Sequence, residues 1–274
     1  MDSMKSRLLT AAIGIPLVVC VLLFGEQFHW IMYALVSVLN LIMIFELLSA
    51  KKLHNSIVFI PCAVYGIVLP LSLPFKLELI SVYAFVIIMF LIMIINHKNV
   101  SYPDLCFAVL GSLIISFGMS SVLLLPPAYD NHFTFFFVIC VGVAWSADAG
   151  AYFSGVFLGK HKLCPGVSPN KTVEGFLGGI VAGTVSAFVV VFIYNFIYSN
   201  AHFNYLIVFF IGLLISVISV LGDLSFSLIK RSCNIKDYGS IFPGHGGFLD
   251  RFDSVVFAAP IVFFIGKYFE IFTI

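Results

Sequence analysis

Apolar runs of roughly 17 to 25 residues follow one another along this chain, separated by short breaks that carry its charges, prolines and asparagines. A helix rises about 1.5 Å per residue, so about 20 apolar residues cross about 30 Å of hydrocarbon, and each run has the length of one crossing. The breaks place spans at 8–24, 28–48, 57–73, 79–95, 105–125, 133–158, 175–199, 204–229 and 254–272. The pattern predicts an all-α, polytopic integral membrane protein of about nine transmembrane helices, with 1–274 forming a single membrane domain. The third run is short and interrupted by Pro61 and Pro70, which leaves a re-entrant segment open there. The runs within 1–104 are bland and read as N-terminal scaffold helices, whereas 105–274 holds the catalytic helices and loops.

Composition agrees with this reading: 61% of the 274 residues are hydrophobic, 10% are charged, and the mean hydropathy is +1.13. Such a balance excludes an ordinary water-soluble domain. A net charge of +1 shows no basic excess of the kind that points to nucleic acid, so no nucleic acid partner is expected. Lys5 and Arg7 precede the first run and no small-x-small cleavage site follows, so that run is expected to be retained. Of the 14 Lys and Arg residues, all but Lys76 and Lys267 fall on one side if the N-terminus is cytoplasmic. The positive-inside rule therefore predicts that orientation. Lys51, Lys52 and Lys98 read as topogenic charges only. The six cysteines show no CxxC pair and no zinc spacing, and are expected to be free thiols.

Candidate chemistry gathers in the sixth and eighth loops, 159–174 and 230–253, and at the helix ends beside them. Asp223 lies near the end of the eighth run, where insertion of a carboxylate costs about 2.5–3.5 kcal/mol and marks a functional candidate. Ser227 and Lys230 follow at i+4 and i+7 on the same helical stripe, with a structural Asp–Lys pair as the bland alternative. Asp148 repeats the theme among the small residues Ala147, Ala149, Gly150 and Ala151. Gly175, Gly179 and Gly183, at four-residue spacing, read as helix packing, as do Gly155 and Gly159.

The sixth loop ends in Ser168-Pro169-Asn170-Lys171-Thr172-Val173-Glu174-Gly175. Ser168 can serve as N-cap with Pro169 at the first helical position, which with Lys171 would make a phosphate site, and a plain capped helix is equally compatible. The eighth loop contains Lys230-Arg231, Lys236-Asp237 and Gly244-His245-Gly246-Gly247 before Asp250-Arg251-Phe252-Asp253. Glycines beside His245 let backbone N–H groups approach an anion, and Asp250 with Asp223 could share a divalent ion. Neither a P-loop nor a Rossmann fingerprint is present.

Ser227-x-x-Lys230-Arg231-x4-Lys236-Asp237-x-Gly239-x3-Pro243-Gly244-His245-Gly246-Gly247-x-x-Asp250-Arg251-x-Asp253 resembles the signature of the phosphatidate cytidylyltransferase (CDP-diacylglycerol synthase) family, bacterial type. Asp148-x-x-Ala151-Tyr152 and Ser168-Pro169-x-Lys171-Thr172-x-Glu174-Gly175 are similar to two further blocks of that family. The resemblance covers the C-terminal half in detail and the remainder through hydropathy.

It implies transfer of CMP from CTP to phosphatidate, yielding CDP-diacylglycerol and pyrophosphate, in a bacterial plasma membrane with the site on the cytoplasmic side. The cofactor it implies is Mg2+, with a monovalent cation such as K+ an open companion. Asp223 and Asp250 are then expected as metal ligands, with Asp148 a third. Lys171, Lys230, Arg231 and Lys236 would hold phosphates, and Ser168, Asn170, Ser227, Asp237, His245, Gly246, Gly247 and Arg251 would line the substrates. Membrane lipids are the surroundings, and a homodimer is compatible with the reading. The rivals are an ion-coupled membrane transporter using Asp148 and Asp223, and a related enzyme acting on another lipid phosphate or a polyprenol.

Overall fold

The computed structural model describes residues 29–124, 132–197, 201–239 and 246–273. The predicted span 8–24 lies outside the described residues, as do Cys20, Pro243, Gly244 and His245. Eight helices occupy the other eight runs: α1 (His29–Ala50), α2 (Phe59–Ser72), α3 (Glu78–Ile95), α4 (Tyr102–Ser120), α5 (Phe133–Leu158), α6 (Val173–Ile197), α7 (Tyr205–Ser232) and α8 (Leu249–Tyr268). Six of them, α1 and α3 to α7, are long and apolar enough to cross a membrane. The protein is an all-α polytopic membrane protein. α2 has only 14 residues, or about 21 Å, and runs into a 3-10 turn at Leu73–Phe75, which bears out the weakness of the third run. α8 is long enough, but Asp250, Arg251 and Asp253 crowd its start.

Two compact units divide the chain, Met1–Leu123 with Ser232–Phe252, and Leu124–Arg231 with Asp253–Ile274. In the first, α2 packs against α1, α3 and α4. Polar contacts lock this packing where lipid offers no hydrophobic drive: Asn40 Nδ2 donates to Gly66 O at 3.1 Å, and Ser37 Oγ to Ile67 O at 3.1 Å. Tyr65 stacks on Phe85 at 4.3 Å between centroids. Leu79, Ile80, Tyr83, Ile94 and Ile95 of α3 face outward, as a lipid-facing helix requires. Lys51 does more than set topology, since its Nζ lies 2.5 Å from Asp104 Oδ1. Ser101, the N-cap of α4, donates to the other Asp104 oxygen at 2.5 Å and accepts from Asp104 N.

In the second unit α5 and α6 form the most extensive helix pair, and glycine makes it possible. A β-carbon on Gly175 would lie 2.7 Å from Ala151 O, and one on Gly179 would lie 2.8 Å from Ala147 O. Gly183 is likewise closed off, by Ser216 of α7 and by Ala147. The glycine spacing is thus a packing device, as its period predicts. Phe135, Tyr194, Phe203 and Phe272 interlock edge to face around the short strand pair β3 (His202–Phe203) and β4 (Phe272–Thr273).

The structure corrects the helix start predicted at Ser168. Residues Lys162–Cys164 and Ser168–Thr172 form an antiparallel strand pair, here β1 and β2, with Lys162 opposite Thr172 and Cys164 opposite Ser168. Val173 N continues the pairing by donating to His161 O. Pro169, which lacks an N–H, suits such an edge strand. The cap of α6 is Thr172, whose Oγ1 accepts from Gly175 N at 3.1 Å.

Gly179→Leu is expected to force α5 and α6 apart and to lower stability by about 1–3 kcal/mol, the usual cost of overpacking. Val181→Leu, on the 63% exposed side of the same helix, is expected to leave it unchanged. Thermal unfolding of the two variants in detergent, followed by retained monodisperse protein, checks the difference.

Candidate functional site

The close approach of α5 and α6 carries Asp148 to the second unit's polar cluster. Gly222 does the same for α7 and α8: a β-carbon there would lie 2.7 Å from Asp253 O and 3.1 Å from Phe257 Cβ. The residue after that gap is Asp223. Its Oδ2 lies 2.5 Å from Lys171 Nζ at the end of β2, and its Oδ1 accepts from Ser227 Oγ at 3.2 Å. Lys171 Nζ is enclosed, with the Asp223 carboxylate as its ion partner.

Asp148 lies within electrostatic range of Asp223 and Lys171, and its Oδ2 accepts from Ser254 Oγ at 3.0 Å. Asp253, only 6% exposed, faces Asp223, Lys230 and Asp148 electrostatically, and its Oδ1 accepts from Ser254 N at 2.7 Å. Lys230 itself is 9% exposed. Three carboxylates therefore share two ammonium groups. Asp223 takes Lys171 as its ion partner, while Lys230 acts electrostatically on Asp253.

Around this cluster, Ser168 is half-buried and Asn170 exposed on β2, and Arg231 is exposed at the end of α7. Glu174, in the first turn of α6, accepts from Lys160 N at 3.0 Å and His161 N at 3.2 Å, and lies 2.6 Å from His161 Nδ1. It ties the β1–β2 hairpin to the helix that Lys171 precedes.

The loop between α7 and α8 belongs to the first unit. Asp250 Oδ2 accepts from Tyr238 N at 2.8 Å and Gly247 N at 2.9 Å, so the Gly247 N–H is committed to the loop itself. Gly246 adopts φ +85°, a conformation that glycine alone takes without strain. Lys236, Asp237 and Arg251 are exposed, with Asp237 Oδ1 beside Gly246. His245 lies outside the described residues.

Ser254 and Glu46 were not singled out by sequence reasoning, whereas Asp253 stands with Asp250 at the start of the ninth run, where a hard cation could be held, without entering the expected ligand set. Glu46 is an isolated carboxylate in an apolar run, a signal that by itself marks a functional candidate.

Hard carboxylate oxygens are the donors Mg2+ takes, and Asp148, Asp223 and Asp253 supply them in kind. No three such groups converge as a ready coordination sphere among the described residues.

Long apolar helices that bring carboxylates and lysines together make this an integral membrane protein with a charged cluster among its helices. The chain belongs to the Cytidylyltransferase family, which it matches over residues 5–269. It is 35% identical over 276 residues to the phosphatidate cytidylyltransferase of Bacillus subtilis, covering 97% of this chain and 98% of that one. It is 30% identical to that of Staphylococcus haemolyticus and 31% identical to that of Staphylococcus epidermidis, in each case over 94% of this chain and 97% of the relative.

Lys171→Met and Asp223→Asn are each expected to destabilise the protein, because each strands a half-buried charge. The double variant should lose less than the sum, with a coupling of about 0.5–3 kcal/mol in a thermal double-mutant cycle. Additive losses would mean that the two do not pair.

Proposed function

We propose that this protein transfers CMP from CTP to phosphatidate, forming CDP-diacylglycerol and pyrophosphate, at the cytoplasmic face of a bacterial plasma membrane. The reading is carried by the Asp148–Asp223–Asp253 cluster with Lys171, in a member of the Cytidylyltransferase family. The names of the relatives from Bacillus subtilis and Staphylococcus support the substrate pair. Both reactants are polyanions, one from water and one fixed in the leaflet, so their meeting place has to be cationic and at the membrane boundary.

Mg2+ would be held by Asp223 and Asp148, with Asp253 in the place that the sequence reading gave to Asp250, whose Oδ2 accepts from the Tyr238 and Gly247 amides, and when bound it supplies positive charge against the triphosphate. Lys171 and Lys230 hold phosphate oxygens, and Arg231 adds an exposed guanidinium. A lipid phosphate oxygen attacks the α-phosphorus of CTP. The new P–O bond forms as the bond to the β-phosphate oxygen breaks, and pyrophosphate leaves with that electron pair. A phosphate monoester has its second pKa near 6 and is already largely dianionic at neutral pH, so no side-chain base is assigned. Recognition of CTP falls to the loop between α7 and α8, through Lys236, Asp237, the Gly246–Gly247 turn and Arg251.

Solubilised protein with Mg2+, phosphatidate and CTP labelled in its cytosine is expected to give a lipid-soluble labelled product and free pyrophosphate. Asp223→Asn should lower turnover by about 10²–10³-fold with the protein still folded. Chelation of Mg2+ should stop turnover and its return should restore it. A wild-type enzyme that makes no product from phosphatidate, or that accepts another lipid phosphate or a polyprenol in its place, would sink this reading.

A further inference from the structure

Glu46 is the only carboxylate of α1, and at 2% exposure it is among the least accessible charged side chains described. Both of its oxygens are committed to one place. Oε1 accepts from Phe248 N at 2.9 Å and Oε2 from Leu249 N at 2.7 Å. Leu249 opens α8, so a carboxylate from a distant helix satisfies amide groups at that helix start and sits at the positive end of its dipole. The loop is shaped to admit it. A β-carbon on Gly247 would lie 2.7 Å from both Glu46 oxygens, and one on Gly239 would overlap Oε1.

Asp250 completes the arrangement by accepting from Tyr238 N and Gly247 N. Two carboxylates thus clasp the same two ends of the loop: Asp250 joins Tyr238 to Gly247, and Glu46 fills the space between Gly239 and the amides of Phe248 and Leu249. Each of these contacts is made to backbone N–H groups or to glycine backbone rather than to a loop side chain. Burial of an ionisable group at this depth is expensive, and a merely apolar contact would have been met by leucine.

We propose that Glu46 is a positioning residue of the enzyme, fixing the loop that recognises CTP through the Phe248 and Leu249 amides without touching the nucleotide. This rests on the assignment of that loop to CTP above. Gln keeps the shape of Glu but turns a donor towards one of the two amides, so Glu46→Gln separates charge from bulk.

The experiment measures KM for CTP, KM for phosphatidate and kcat in wild type and Glu46→Gln, with hydrogen–deuterium exchange of the peptide covering 246–252. The expected result is a rise of about tenfold or more in KM for CTP with KM for phosphatidate within about twofold, and faster exchange at the Phe248 and Leu249 amides. Unchanged exchange overturns the proposal. So does faster exchange with both KM values unchanged and only thermal stability reduced, which is the result of a purely structural role. If Glu46→Gln does not fold, Gly239→Ala presses on the same carboxylate from the other side and should give the same split in KM, and two unchanged KM values there overturn the proposal. A wild type that forms no CDP-diacylglycerol removes the assigned reaction instead, and the exchange measurement still decides whether Glu46 holds the loop.

Discussion

Charge placed among apolar helices has to be matched locally, and in the second unit Asp148, Asp223 and Asp253 are matched by Lys171 and Lys230. A carboxylate within a span costs up to about 2.5–3.5 kcal/mol to insert, so acids at such positions need polar or cationic partners close by. The glycines follow from that requirement. Gly175, Gly179 and Gly183 bring α6 onto α5, which carries Asp148, and Gly222 lets α8 bring Asp253 against α7 just before Asp223. The strand pair β1–β2, held by Glu174, delivers Lys171 to the same place. Packing and chemistry are one design here, since a larger side chain at any of these glycines displaces a charged group as well as a helix.

The first unit solves a different problem with the same means. Where the loop between α7 and α8 approaches at Gly239 and Gly247, two buried or half-buried carboxylates accept its backbone N–H groups. Charge-assisted hydrogen bonds of this kind are roughly twice as strong as neutral ones. They leave Lys236 and Arg251 exposed at the surface of the loop.

Hydropathy alone was enough for the fold class, because hydrocarbon thickness dictates run length and no other element suits a run of 20 apolar residues. It also marked the weak third run, where 14 helical residues with Pro70 fall short of a crossing. The depth of Asp148 and Asp223 in their runs singled them out for the same energetic reason. Local pattern failed at Ser168: Ser-Pro is a good helix start, but the hairpin made by 162–172 offered that backbone a ladder, and Thr172 became the cap. Asp250 and Asp253 were both marked at the start of the ninth run, but spacing cannot tell which of two acids three residues apart lies near Asp148 and Asp223. Glu46 was legible in principle, as a lone acid in an apolar run, but its partners lie some 200 residues away in the chain, where no local pattern reaches.

The claim beneath all of this is that Asp148, Asp223 and Asp253 act as one charge cluster able to take a divalent ion beside substrate phosphates. Mn2+ provides a direct probe, because its electron paramagnetic resonance spectrum separates bound from free ion without any turnover. Solubilised wild type with CTP is predicted to bind Mn2+ saturably, with Asp223→Asn and Asp253→Asn each weakening that binding about tenfold or more. Saturable binding that is indifferent to both substitutions would contradict the account.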